Sequence, residues 1–514
     1  GGQLRLKRWR SGVTTDNVLI TLPAMGSYSA TAPYNCPKSA LILSNACRYM
    51  ATNTINSGGG HGDALIGLAL LAAGRTQDVA KVQTYARLLA SWGAPTTGMT
   101  AWDWGYSGTF LSEYYLVTGD ASVLPAVIDY TTNAALRQAW SGTYGHGSSW
   151  PRSDGKGTHG MIPVYGAVNQ AGLTADIAIV LGKKCMGAQD ASNSTETNMV
   201  ANAIQRARNF FGYYVGKGAV PYGQSPAEAV HDDNGKNALA ALLMALQEQA
   251  DMSTGVKFFV KGCSAGYAVR DAGHPSATWA QLWQPLGVNL GGTNAMAAYF
   301  QQIQWEADLA RRPDGSFAYN HCSGGQAGLE DLGPGSGTAK WMLTYATALQ
   351  KLYITGKNSN TNNWLRTIAV NEAVADGICT LQTDLQAWTT NQLLAAATSW
   401  SPWKRHLSAH ELATRTSDFS GLVPALISLP DGMNLNGRKC ATEALTLIQD
   451  TNALPVLLRR LNDSDSFVRW QAAGGYNGSA SLLYKAKARP ILTNLLSIII
   501  SNEVPFEPVN WDDP

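Results

Sequence analysis

The chain has 514 residues, a formal net charge of +2 and only 14% charged residues, with Lys and Arg scattered along its length. It shows no basic stripe and no nucleic-acid-binding module, which argues against nucleic acid as a partner. No run approaches the ~18 uninterrupted apolar residues of a membrane-spanning helix, the candidate at 492–500 being too short.

With 52 Gly and 16 Trp, so uncharged a chain suits an exported protein with aromatic, loop-built binding surfaces. The seven Cys (Cys36, Cys47, Cys185, Cys263, Cys322, Cys379 and Cys440) are far apart and form no CxxC pair. They are too few for a disulfide framework and read as buried small hydrophobes, with a bridge left open. The sequence begins Gly1-Gly2 with neither initiator Met nor signal peptide, so we expect a cut N-terminus, periplasmic, cell-surface or extracellular in setting.

Residues 1–35 predict strands over 3–10 and 18–22, bounded by the turn residues Gly12, Asp16, Asn17 and Pro23. We expect this β segment to be the remnant of a preceding β domain, or a lead-in docked on the helices after it.

Residues 36–358 repeat one plan about six times. The clearest copy starts as a loop with Trp102, Asp103 and Trp104, becomes a helix with few charges on any face, and stops at Gly119. A helix without a polar stripe is buried all round, and Gly suits the positive φ of a C-cap. Five further leads share the pattern: His61 and Asp63 into 64–73; His159 and Tyr165 into a helix ending at Gly182; His231 and Asp232 into 236–249; His274 and Trp279 toward Gly291; and Tyr319, His321 and Asp331 into 338–355. Amphipathic helices fall between them, over 37–51, 77–92, 122–140, 196–215, 254–269 and 294–311. A buried helix alternating with a half-exposed one, six times, describes an all-α (α/α)6 toroid. Repeat spacings of ~40–70 residues suit such closed arrays. The inner helices would run parallel, and the loops before them would meet at one mouth.

Residues 359–415 read as a helical connector holding Trp388, Trp400 and Trp403. Residues 416–514 read as repeats and a tail. The stretch 453–473, with Pro455, an Asn/Asp turn at Asn462 and Asp463, then Val468-Arg469 and Ala472, resembles a HEAT repeat. A weaker copy starts near Gly421.

Together with Arg312-Pro313-Asp314-Gly315-Ser316-Phe317, the inner-helix pattern is similar to the toroid of the terpenoid cyclase and prenyltransferase superfamily. The β segment, Tyr34-Asn35-Cys36-Pro37 and the Gly-His-Gly-Asp at 60–63 resemble a bacterial family that places a PDZ domain before such a toroid, some members carrying HEAT-like repeats after it. The resemblance implies a fold and an exported setting, and no reaction. The cyclase Asp-x-Asp-Asp acid and the prenyltransferase zinc set do not carry over: Val230-His231-Asp232-Asp233 lacks the first Asp, and Cys322 beside His321 is a faint echo.

Six of the eight His (His61, His146, His159, His231, His274 and His321) fall in loops leading into inner helices. With Asp63, Asp103, Asp232 and Asp331, and with Trp102, Trp104, Tyr165, Trp279 and Tyr319, they would line the mouth. Aromatic faces stack on sugar rings, while carboxylates bind hydroxyls or transfer protons. The expected ligand is therefore a polysaccharide or oligosaccharide, bound by His61, Trp102, Trp104, His159, Tyr165, His274, Trp279, Tyr319, His321 and Asp331. The expected catalytic groups are Asp103 and Asp232, with Asp63 in reserve, and His231 as a lyase base. A metal set of His61, Asp63, His231 and Asp232 has no fixed spacing behind it, so no metal and no cofactor are expected. Each Asp also reads as a helix N-cap. The rival reading is a non-catalytic scaffold that binds glycan or peptide, with a protein partner at the β segment or the HEAT-like end.

Overall fold

The computed structural model describes residues 3–10, 13–21, 25–52, 61–147, 166–187, 194–270, 278–317, 333–378, 382–428 and 435–474. It is predominantly helical, with 70% helix against 4% strand, which fixes the all-α class. The strands β1 (Gln3–Arg10) and β2 (Val13–Thr21) pair antiparallel, with Leu4 opposite Ile20 and Leu6 opposite Val18. Leu4, Leu6, Leu19 and Ile20 are 39% to 52% exposed, so among the described residues the hairpin buries neither face.

Among the described residues twelve helices come next in chain order: α1 (Pro37–Thr52), α2 (His61–Ala73), α3 (Val79–Trp92), α4 (Thr100–Thr118), α5 (Leu124–Leu136), α6 (Asn169–Met186), α7 (Ser194–Gly212), α8 (Lys236–Leu246), α9 (Ser253–Ala265), α10 (Thr278–Asn289), α11 (Thr293–Ala310) and α12 (Gly333–Ala346). The even-numbered ones carry almost no charge, and their described side chains are buried nearly throughout. Each packs on the next even-numbered helix, and α12 packs on α2. The odd-numbered helices bury one stripe each, as α3 does with Val82, Ala86 and Leu89. All twelve share one apolar core.

Small residues let α4 and α6 pack closely. A Cβ at Gly105 would strike the Thr174 hydroxyl and come within 2.9 Å of the Thr174 carbonyl carbon, and one at Gly108 would lie 3.0 Å from the Cβ of Ala178.

The trailing ends of the even-numbered helices are tied to the segment after α12. Lys351 Nζ donates to the carbonyls of Ala73 (3.3 Å) and Gly74 (3.0 Å) at the end of α2. The Glu113 carboxylate of α4 accepts from the amides of Tyr353 (3.1 Å) and Ile354 (2.9 Å). Asn289 of α10 donates to the Thr355 carbonyl at 2.9 Å. Lys184 of α6 lies 5.3 Å above the Tyr353 ring and pairs at 2.7 Å with Glu248, just beyond α8. Helix dipoles leave partial negative charge at C-termini, and Lys184, Lys351 and Lys357 sit where that charge collects.

Several helices stop earlier than periodicity predicts. The one expected over 338–355 ends at Ala346, where the Thr347 hydroxyl bonds back to the Thr344 carbonyl and Gln350 takes a positive φ of 50°. The one expected to reach 249 ends at Leu246, and Glu248 has φ 58°. The one expected over 122–140 ends at Leu136, freeing Gln138 to donate to Asp176 (2.8 Å) and to the Ala203 carbonyl (3.0 Å).

Beyond residue 366 come α13 (Thr367–Ile378), α14 (Thr390–Ala396), α15 (Pro402–Thr414), α16 (Phe419–Ser428), α17 (Leu435–Ile448), α18 (Leu454–Arg460) and α19 (Ser466–Gly474). Helix α13 packs on α9 and α11. The helices from α14 on enclose a second apolar core that includes Leu407, Leu422, Leu445 and Leu457. Lys217 bridges to Asp465 at 3.2 Å, and Arg405 donates to the Lys217 carbonyl at 2.8 Å, fixing this part to the twelve-helix body.

Burial pushes the Glu113 carboxyl from its ordinary 4.5 up to about 7, against the opposing pull of the Ile354 and Tyr353 amides and of Lys357 and Lys184. Between those two values the folded state holds the proton that the unfolded state has lost. Stability is therefore greatest below the lower value and falls as pH rises through the upper one, by about 3 kcal/mol at most. Urea denaturation from pH 4.5 to 8 should show this decline in the wild type and a shallower one in Glu113→Gln. Equal slopes would contradict the assignment.

Candidate functional site

The first two turns of α4 and of α10 meet through their aromatic side chains. Trp102 and Tyr106 are four residues apart and share one face of α4; Trp279 and Trp283 do the same on α10. Trp102 stacks on Trp279 with centroids 5.3 Å apart and planes at 28°. Tyr106 lies 5.8 Å from Trp279 and 5.9 Å from Trp283, whose indole N–H points to the Tyr106 hydroxyl at 3.3 Å. The chain after α5 folds onto the same place: Ala101 N–H donates to the His146 carbonyl (3.1 Å), and Trp102 Nε1 donates to His146 Nδ1 (2.9 Å). The start of α6 is tied to the segment after α5, Val168 N–H donating to the Tyr144 carbonyl at 2.8 Å, and to the 222 segment, Asn169 N–H donating to the Tyr222 carbonyl at 2.9 Å.

Trp104 faces elsewhere. It is fully buried, donates to the Pro95 carbonyl at 2.9 Å and meets Tyr144 edge-on at 6.0 Å. Predicted as a sugar platform with Trp102, it packs the side of α4 instead.

The acids disperse over different neighbours. Asp103 is half-buried on the face of α4 that carries Ser107, toward Tyr130 of α5. Burial pushes the Tyr130 hydroxyl up to about 12; Ser107 pulls it down, and Asp103 and Asp129 push it up. Asp63 is buried in the first turn of α2, and its charge falls on Tyr85 of α3, already raised by burial. Asp232 is buried, and both its oxygens are occupied. Oδ1 accepts from Asn237 N–H (2.9 Å); Oδ2 accepts from Gly235 N–H (3.0 Å) and Gln284 Nε2 (2.6 Å). It caps α8 and braces α10. Burial raises its pKa, opposed by these bonds and by Lys236. Asp103 and Asp232, expected to face each other across a cleft, thus engage α5 and the α8–α10 contact respectively.

His231 turns toward the C-terminal helices. It stacks on Trp400 at 5.7 Å and shares a 2.6 Å hydrogen bond with the Ser401 hydroxyl. Burial pushes its pKa down to about 4, so it is neutral near pH 7. It cannot join Asp232 in a metal set while so placed. His61 opens α2; its side chain, and His159, Tyr165, His274, Tyr319, His321 and Asp331, lie outside the described residues.

Sequence reasoning missed a group of polar atoms at the leading turns. Gln170 of α6, through both Nε2 and Oε1, Trp279 Nε1 of α10, Thr100 Oγ1 of α4 and Ser336 Oγ of α12 are buried without a hydrogen-bond partner. A buried polar atom left so costs roughly 1–3 kcal/mol. Gln170 shares a face of α6 with Thr174, which touches α4 at Gly105. An amide, an indole N–H and two hydroxyls offer both donors and acceptors to a polyhydroxylated ligand. A Gln one residue into a buried helix was the available signal.

A family model described as Domain of unknown function (DUF6288) matches residues 39–356, well over half of the chain. The chain belongs to this family. The match spans α1 to α12 and stops before the C-terminal helices. No curated protein and no solved structure matches the chain.

Asp232→Ala should strand Gly235 N–H, Asn237 N–H and the Gln284 amide in the interior. We expect a loss of about 3 kcal/mol in urea denaturation. Unchanged stability would mean that the carboxylate is not the cap its geometry describes.

Proposed function

We propose that this DUF6288 family member is an (α/α)6 toroid that binds an oligosaccharide or polysaccharide at the leading ends of its inner helices. The closed sequence of contacts from α2 to α12 and back, with trailing ends tied to one segment, supports the toroid. The observation that carries the ligand is the set of unpartnered polar atoms on these leading turns, Gln170 Nε2 and Oε1 on α6 and Trp279 Nε1 on α10, Trp279 also being a partner in the Trp102–Trp279 stack. Flat apolar rings with nearby donors and acceptors are what sugars require.

Of the two functions weighed from the sequence, binding is favoured over cleavage. Asp232 is enclosed and spent on helix amides, and His231 is docked and neutral. An acid–base pair needs access to a substrate and a titratable partner across it. The low charge and aromatic content favour an exported setting, where such glycans are met. The C-terminal helices are a HEAT-like surface for a protein partner in this reading, supported by their separate core.

The test is a panel of neutral and anionic polysaccharides, assayed for binding by affinity electrophoresis and for cleavage by release of reducing or unsaturated ends. We expect retention by at least one glycan and no product. Trp102→Ala and Gln170→Ala, checked for folding by thermal melting, should weaken retention at least ~10-fold, a change of 1.4 kcal/mol. Absence of binding across the panel would overturn the proposal. Turnover that is lost in Asp103→Asn would replace it with the hydrolase or lyase reading.

A further inference from the structure

The C-terminal helices hold a second cluster of chemistry-bearing side chains, independent of the glycan reading. His406 and His410 lie on α15 four residues apart, so one face of the helix presents both imidazoles. Their ring centroids are 4.2 Å apart. Glu443, on the packed neighbour α17, points between them. His406 Nδ1 lies 2.6 Å from Glu443 Oε1, and His410 Nε2 lies 3.7 Å from the same oxygen. One ligand atom from each of the three falls within 4.8 Å of the others.

We propose that His406, His410 and Glu443 form a binding site for a divalent transition metal of the zinc type. Two imidazoles and one carboxylate are a borderline-soft N₂O donor set, suited to Zn²⁺, Co²⁺ or Ni²⁺ and unsuited to Mg²⁺ or Ca²⁺. Bonds of ~2.0–2.2 Å in tetrahedral geometry separate neighbouring ligand atoms by roughly 3.4 Å. The two observed separations, 2.6 Å and 3.7 Å, bracket that value, so small rotations about the side-chain bonds seat the ion. The metal takes the place of the hydrogen between His406 Nδ1 and Glu443 Oε1, and a neutral His406 then carries its N–H on Nε2.

The surroundings fit such a site. Trp403 stacks on His406 at 5.8 Å and holds the ring's orientation. The side chains of His406 and His410 are 29% and 37% exposed while that of Glu443 is 9% exposed, leaving a wet side for the ion to enter and for a water or a partner's side chain as fourth ligand. Arg405 and Lys439 both lie within electrostatic reach of Glu443, and their own hydrogen bonds and ring contacts go to other partners. Arg405 donates to the Ser399, Trp400 and Lys217 carbonyls. Lys439 sits over the Phe467 ring at 3.5 Å, and burial pushes its pKa down to about 7.

The experiment titrates Co²⁺ into the full chain after chelator dialysis, follows the visible d–d absorption, and then displaces Co²⁺ with Zn²⁺. We expect one equivalent with the intense bands of a four- or five-coordinate ion, and a matching rise in melting temperature with Zn²⁺. Glu443→Gln and His410→Ala should each lower the affinity by 10- to 100-fold or more. Because Glu443 also bonds His406, His410→Ala, at the most exposed ligand, is the variant least able to disturb folding. Absence of d–d bands in the wild type, or the same equivalent bound by His410→Ala, would overturn the proposal.

Discussion

A helix with no polar stripe has to be covered on every side, and everything else in this chain answers that requirement. Six helices of this kind cannot hide behind amphipathic neighbours alone, because each neighbour supplies only one apolar stripe. They cover one another, each on the next and the last on the first. Small residues make this feasible: at Gly105 a single added carbon would collide with α6, and at Gly108 it would press on Ala178. Where backbones come that close, dispersion contacts replace any role for charge.

Each helix carries partial positive charge at its N-terminus and partial negative charge at its C-terminus. Acids gather at the leading ends, with Asp63 and Asp103 in first turns and Asp232 on the α8 amides. Lys184 and Lys351 sit at trailing ends. The carboxylates that invite a catalytic reading are thus accounted for first by electrostatics of the fold. What the fold does not account for is the buried amide of Gln170 and the indole N–H of Trp279. That asymmetry, satisfied acids beside unsatisfied neutral donors and acceptors, moves the functional reading from cleavage to binding.

The alternation of charge-free and amphipathic helices was legible because it is a property of periodicity, and helix starts at 37, 236 and 253 follow it closely, whereas the loop expected at Trp102, Asp103 and Trp104 is already part of the helix that begins at Thr100. Helix ends were less legible. They depend on side chains that abandon the helix for tertiary partners, as Gln138 does for Asp176. The direction in which a first-turn residue points was not legible either. Trp102 and Trp104 look equivalent in sequence, yet one turns to α10 and the other to the Pro95 carbonyl. His231 reads as a mouth histidine until the C-terminal helices supply Trp400 and Ser401. The His406–His410 spacing was visible but said nothing without Glu443, which only the packing of α15 on α17 brings near.

Closure of the helix sequence is the claim on which the rest stands, and a distance between its two ends tests it most directly. Spin labels at Thr76→Cys, just past α2, and Leu349→Cys, just past α12, both exposed, would be measured by pulsed EPR against single-label controls. A closed ring predicts one narrow, short distance, adjacent helices packing ~10 Å apart. An open array would put five helix-to-helix steps between the labels, roughly 50 Å at that spacing, and such a distance would contradict the account.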